Sequence, residues 1–191
     1  MKLEQAETIA QQWLTRLAPH CERIEIAGGV RRRKAEPHDI ELLAIPKLIV
    51  RFDMFGNHGE TISDLEAFLA SLVNDGFCKP IKNGPKYKQL ALPEGINLDL
   101  FIVRPETWAV QFVIRTGPAD FSHWLVTPRK HGGAMPSNCK VQDGQVWQNG
   151  KALEFAEERD FLEFLGLGWI EPQSRTPLKL AAALEQELCA K

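Results

Sequence analysis

Apolar residues recur every three or four positions from 3 to 18, at Ile9, Trp13, Leu14 and Leu17, a spacing that predicts an amphipathic helix. The pattern then changes to strand-like runs. Arg23 to Ile26 reads as a short strand ending in Gly28-Gly29, and Asp39-Ile40-Glu41-Leu42-Leu43-Ala44-Ile45-Pro46 as a second strand that carries acids among aliphatic residues. Lys47 to Gly59, with Phe52 and Phe55, follows neither period and is assigned as a loop or irregular strand. Thr61 or Ser63 is placed to cap a helix through about Asn74, which Asp75-Gly76 ends. Phe77 to Ile81 and Lys86 to Leu92 flank the turn signal Lys82-Asn83-Gly84-Pro85, and a third apolar run, Gly95 to Val103, follows them.

Pro105 opens a helical segment, Glu106 to Arg115, and Thr116-Gly117-Pro118 stops it. The last third holds a hairpin signal at Asp143-Gly144, a turn at Asn149-Gly150 and a helix from about Ala156 to Leu165. The expected boundary lies near Arg104-Pro105. It divides 1–104, a mixed α/β unit, from 105–191, a smaller C-terminal unit.

With 191 residues, 44% of them hydrophobic and 25% charged, the chain can bury the core of one domain or two small ones, as an ordinary soluble globular protein. A net charge of -2 excludes polyanion binding by the molecule as a whole, so a nucleic acid would have to meet a local basic face. One is available: no acid lies between Asp75 and Glu94, where Lys79, Lys82, Lys86 and Lys88 fall. Cys21, Cys78, Cys139 and Cys189 have neither zinc spacing nor the density of a disulfide framework, and read as reduced intracellular thiols. No apolar leader opens the chain and no run approaches the ~20 apolar residues of a membrane span. An intracellular location, cytoplasmic or with the nucleoid or nucleus, is therefore expected, with no membrane partner.

Strand side chains alternate, so Asp39 and Glu41 face one side. Asp99, in the third apolar run, reaches the same edge if the two strands are neighbours. Three carboxylates so placed make a site for two divalent cations, which hold the attacking and leaving oxygens of an in-line phosphoryl displacement. Alone, Asp-x-Glu on an apolar strand reads as a solvated strand edge and Gly28-Gly29 as a turn needing positive φ; together with Asp99 they read as a metal site. His38 falls on the opposite strand face and reads as a surface histidine.

Gly28-Gly29-Val30-Arg31-Arg32, followed after a short loop by Asp39-Ile40-Glu41, resembles the signature of the family X DNA polymerases, the group of DNA polymerase beta in the nucleotidyltransferase superfamily. The resemblance extends over nearly the whole chain and implies an α/β (α+β) fold: a nucleotidyltransferase palm with a mixed sheet and flanking helices over 1–104, and a small thumb over 105–191. It implies that Asp39 and Glu41 bind both metals, and that Asp99 helps bind the catalytic metal and accepts the proton of a primer 3′-hydroxyl. Gly28, Gly29 and Arg32 fall where the family holds the triphosphate, and Arg115, Thr116 and Gly117 on the turn that packs against the sugar. Two magnesium ions are expected, with manganese able to substitute.

The expected partners are a nucleoside triphosphate and gapped DNA with a primer 3′-hydroxyl, gripped at its phosphates by Lys86, Lys130 and Lys140, and the expected state is a monomer. The expected activity is DNA-directed nucleotidyl transfer in gap filling or repair. The alternatives are a template-independent nucleotidyltransferase acting on RNA, a protein or a small molecule, and a catalytically weak DNA-binding module. Two finer expectations follow from the turn: a cis bond at Gly117-Pro118, and appreciable ribonucleotide use, because Ile114-Arg115 stand where the family has two aromatics.

Overall fold

Leu3–Leu17 forms helix α1, whose buried stripe contains Ile9, Trp13 and Leu17 of the expected apolar face together with Ala6 and Ala10, while Leu14 is half-buried. In the computed structural model, which describes residues 1–51 and 59–176, the chain groups into two units. One is Met1–Val30 with Ala35–Val103; the other is Arg31–Lys34 with the chain from Arg104 onward.

After α1 the first unit runs through β1 (Cys21–Ile26), a single helical turn α2 (Gly28–Arg31), β2 (Asp39–Pro46), β3 (Leu48–Arg51), β4 (Glu60–Ser63), α3 (Asp64–Asn74), β5 (Lys79–Asn83), β6 (Tyr87–Ala91) and β7 (Asn97–Ile102). Five strands form one mixed sheet in the order β1-β2-β7-β6-β5. β2 and β7 pair in parallel and the other neighbours antiparallel. Alternation sends Ile40, Leu42, Ala44, Leu98 and Leu100 to one face, where they share a core with Trp13 and Leu17 of α1 and Leu65 and Leu69 of α3. Burying each leucine or isoleucine of this set contributes about 1.5–3 kcal/mol. Ser63 caps α3 as its position suggests, its hydroxyl accepting the Glu66 amide at 3.1 Å.

Part of the stretch left without a period is a strand. Leu48–Arg51 pairs antiparallel with Glu60–Ser63, while Phe52 and Phe55 lie outside the described residues. Leu48, Ile49 and Val50 are 66%, 39% and 52% exposed, so no inward and outward alternation marks this ribbon in the sequence.

The second unit contains α4 (Trp108–Thr116), α5 (Ala119–Val126), a meander of β8 (Cys139–Gln142), β9 (Gln145–Gln148) and β10 (Lys151–Leu153), and α6 (Glu158–Phe164). Its core gathers Val110, Val113, Phe121, Leu125, Val146, Phe161 and Leu162. Both meander turns have positive φ at two successive residues, Asp143-Gly144 and Asn149-Gly150, as two-residue hairpin loops demand. Sequence reading placed no element at α5.

Cys21, Cys78 and Cys139 are buried free thiols. Burial pushes the Cys21 thiol up to about 11, which keeps it protonated and inert. Among the described residues no helix is long and apolar enough to cross a membrane.

Candidate active site

The sheet face opposite the helices carries the acids. Register aligns Glu41 with Asp99 across the parallel pair β2–β7, and Asp99 with Gln89 across β7–β6, so these three side chains form one row on one face. Asp39, Asn97 and Ala91 form the adjoining row. On the other side of Glu41 and Asp99 lie Leu43, Phe101 and Tyr87, with the last two rings stacked at 5.1 Å. Asp39, Glu41, Asp99 and Gln89 are all half-buried. The strand-neighbour condition that sequence alone left open is thus met, because β2 and β7 are adjacent and parallel.

Gly28 and Gly29 meet this face at the end of β1. Gly28 has φ +59, and a Cβ there would lie 1.3 Å from Glu41 Oε2, so both the left-handed backbone and the close approach require glycine. The Gly29 amide donates to Glu41 Oε2 at 3.2 Å. Gly28→Ala is expected to cost roughly 1–2 kcal/mol for the backbone conformation alone and to expel the Glu41 carboxylate from the turn. A thermal melt beside that of wild type checks this.

Three carboxylates on adjacent strands supply only hard oxygen donors, and by donor type and shared face they fit a hard divalent cation. In the present arrangement Glu41 is turned toward Gly29, and among the described residues no group of three or more His, Cys, Asp or Glu side chains is gathered closely enough to hold a metal ion. Asp99 Oδ1 accepts the Gln89 amide at 2.8 Å.

The other expected nucleotide-contacting residues belong to the second unit. Arg32 Nη1 donates to the Thr116 carbonyl, and Arg115 is exposed at the end of α4. Arg31 is half-buried and holds several partners of the same unit. Its Nη1 donates to the Thr116 hydroxyl at 2.7 Å and to Glu158 Oε1 at 2.9 Å, and its guanidinium lies 3.9 Å from the centre of the Phe112 ring. Glu158 Oε1 also accepts from Arg175 Nη1 at 2.8 Å. Burial pushes the Glu158 carboxyl up, but the hydrogen bonds and charges of Arg31 and Arg175 outweigh it and hold the group below its ordinary value. Burial draws Arg175 down as well, yet a guanidinium stays charged, so the cluster is ionic.

Gly117 is required for a different reason from Gly28. Its φ of -67 is ordinary, but a Cβ would lie 2.4 Å from Phe121 Cδ1 and 2.9 Å from Ser122 Oγ. The expected cis bond is absent: no peptide bond among the described residues is cis. Gly117 runs extended at ψ 153, and Pro118, extended at ψ 161, stands at the N-cap of α5, so the proline opens a helix from a trans bond.

Of the expected DNA-contacting lysines, Lys86 is exposed before β6 in the first unit, while Lys130 and Lys140 are exposed in the second. Lys88 is 8% exposed, bonded to Asn83 Oδ1 at 2.6 Å and paired with Glu66 Oε1 at 3.0 Å, which leaves Lys79, Lys82 and Lys86 as the outward charges of that basic stretch. Sequence reading missed Gln89, Glu158 and Arg175. Only strand parity could have pointed to Gln89, which alternates with the buried Leu90 onto the acid-bearing face.

No protein-family model matches this sequence, and no curated protein does. Among solved structures the chain is similar to the crystal structure of Leishmania infantum polymerase beta in a ternary P/T complex, with a TM-score of 0.67 and 13% sequence identity over 93% of this chain and 77% of that one. At that identity the likeness shows the fold: a mixed α/β architecture with a five-stranded mixed sheet and flanking helices, similar to that of polymerase beta.

Proposed function

We propose that the protein is a metal-dependent nucleotidyltransferase that extends a DNA primer 3′-hydroxyl from a nucleoside triphosphate, a polymerase of the family X type suited to gap filling or repair. The observation that carries this reading is the parallel register of Glu41 with Asp99, with Asp39 in the next row and the Gly28-Gly29 turn against Glu41. Asp39, Glu41 and Asp99 would hold two magnesium ions, or manganese, which neutralise charge on the phosphates and lower the cost of ionising the hydroxyl.

The residues of the chain do the rest. The 3′-oxygen forms a bond to the α-phosphorus, the bond from that phosphorus to pyrophosphate breaks, and the hydroxyl proton passes to the Asp99 carboxylate. Gly28, Gly29 and Arg32 receive the triphosphate, Arg115, Thr116 and Gly117 the sugar, and Lys86, Lys130 and Lys140 the DNA phosphates. Glu41 joins the acids by rotating its side chain away from Gly29, a step that gives up a hydrogen bond to a charged group worth about 1.5–3 kcal/mol.

The turned Glu41 favours a second reading, a DNA-binding module that keeps the fold without turnover. Primer extension on gapped duplex, blunt duplex and single strand, with deoxyribonucleotides and ribonucleotides in magnesium and in manganese, separates the two. Extension on the gap supports the first reading, with ribonucleotide use expected because Ile114-Arg115 offer no flat ring to the sugar. Binding of the gap without extension in either metal selects the second.

A further inference from the structure

Asp99 is held by a neutral group. Gln89 is its register partner across β6–β7, and the Gln89 amide nitrogen donates to Asp99 Oδ1 at 2.8 Å. A carboxylate can only accept, so the side-chain amide must present its NH2 end here, and the direction of the bond does not depend on how the amide is assigned. Among the described residues no cation pairs with the Asp99 carboxylate. Lys88, the next residue along β6, points to the other face and is engaged by Asn83 and Glu66.

The neighbours of Gln89 restrict its freedom. On the same face the stacked Tyr87 and Phe101 flank it on one side, and Ala91 with Asn97 on the other. A guanidinium or ammonium in place of this amide would form an ion pair with Asp99 and compete with any other cation, whereas an amide orients the carboxylate and leaves its charge whole.

We propose that Gln89 is a positioning residue for Asp99: its neutral amide fixes one carboxylate oxygen and so presents the other to a divalent cation. The proposal rests on the nucleotidyl-transfer reading, since it assigns a metal to Asp99. It concerns a contact made from β6, a strand that carries none of the three acids.

Gln89→Met keeps an unbranched side chain of similar length and removes the donor; Gln89→Ala removes the side chain. Each is made in the full chain and titrated with Mn2+ by electron paramagnetic resonance without DNA or nucleotide, beside Asp99→Asn and the double variant Gln89→Met/Asp99→Asn. Both Gln89 variants are expected to weaken Mn2+ binding by about 10–100-fold with melting temperatures close to wild type, and Gln89→Met is expected to change it less than about 2-fold once Asp99 is Asn. On primed gaps kcat should fall with the nucleotide KM unchanged. Unchanged Mn2+ affinity in the Gln89 variants, with a loss in Asp99→Asn, overturns the role of Gln89 and leaves the nucleotidyl-transfer reading standing. Unchanged affinity in Asp99→Asn as well removes the metal from this face and overturns both.

Discussion

Asp99→Asn is expected to lower turnover on a primed gap by at least ~10²-fold while triphosphate binding persists. The substitution changes little that holds the fold. Asn has the size of Asp, its carbonyl can still accept the Gln89 amide, and the register of β7 between β2 and β6 stays as it is. What it removes is one negative charge and the acceptor for the hydroxyl proton, both of which matter most when the 3′-oxygen attacks. Single-turnover rates on a gapped duplex, with the nucleotide Kd measured separately, check this. A rate near that of wild type would take Asp99 out of the reaction.

Glu158→Ala is expected to destabilise the second unit strongly. Glu158 is 4% exposed and binds two arginines, one of which, Arg175, is 1% exposed. Deleting the carboxylate leaves buried guanidinium charge without its counter-ion, which costs about 3–5 kcal/mol, whereas exposed pairs contribute about 0–1 kcal/mol. Urea melts of both proteins measure the difference, and a loss below ~1 kcal/mol would mean that water reaches the cluster. A pH dependence accompanies it. The folded carboxyl gives up its proton more readily than the unfolded one, so the stabilisation is complete above the unfolded value of ~4.3 and is lost as pH falls through the folded value. Glu158→Gln should therefore have a flatter acid limb than wild type, with the two curves converging at low pH.

Much of the first unit was legible where acids alternate with buried aliphatic residues, as they do in the first half of β2. Ile40, Leu42 and Ala44 alternate with Asp39, Glu41 and Leu43, and a period of two read from the chain becomes the two faces of β2. Ser63 and the Asp143-Gly144 pair were legible because a cap and a two-residue turn are local chemistry. β3 lacked any such signal, since aliphatic residues exposed on both faces carry no pattern. α5 was missed because eight residues span little more than two turns, too few for a period to stand out beside Pro118.

The candidate site divides along the same line. Asp39, Glu41 and Asp99 share strands whose pattern was readable, so their common face followed once β2 and β7 proved adjacent. Gln89 bonds Asp99 from ten residues away, and Arg31 bonds Glu158 from 127 residues away. Pairings of that kind depend on how whole elements come together, which no local period records. The reach of Glu41 is a matter of one methylene: longer than Asp, it folds back to the Gly29 amide, a contact that spacing alone does not reveal.

The grouping of Arg31–Lys34 with the chain beyond Arg104 makes the second unit discontinuous in sequence. The backbone leaves the first unit after Val30, returns at Ala35 and leaves again after Val103. Neither half is therefore a cassette that recombination could exchange whole. A fragment ending at residue 103 would carry Arg31 away from Glu158, Thr116 and Phe112, and its complement would keep Glu158 with one of its two arginines. A cut between residues 103 and 104 therefore divides the second unit, through four residues near the start of the chain.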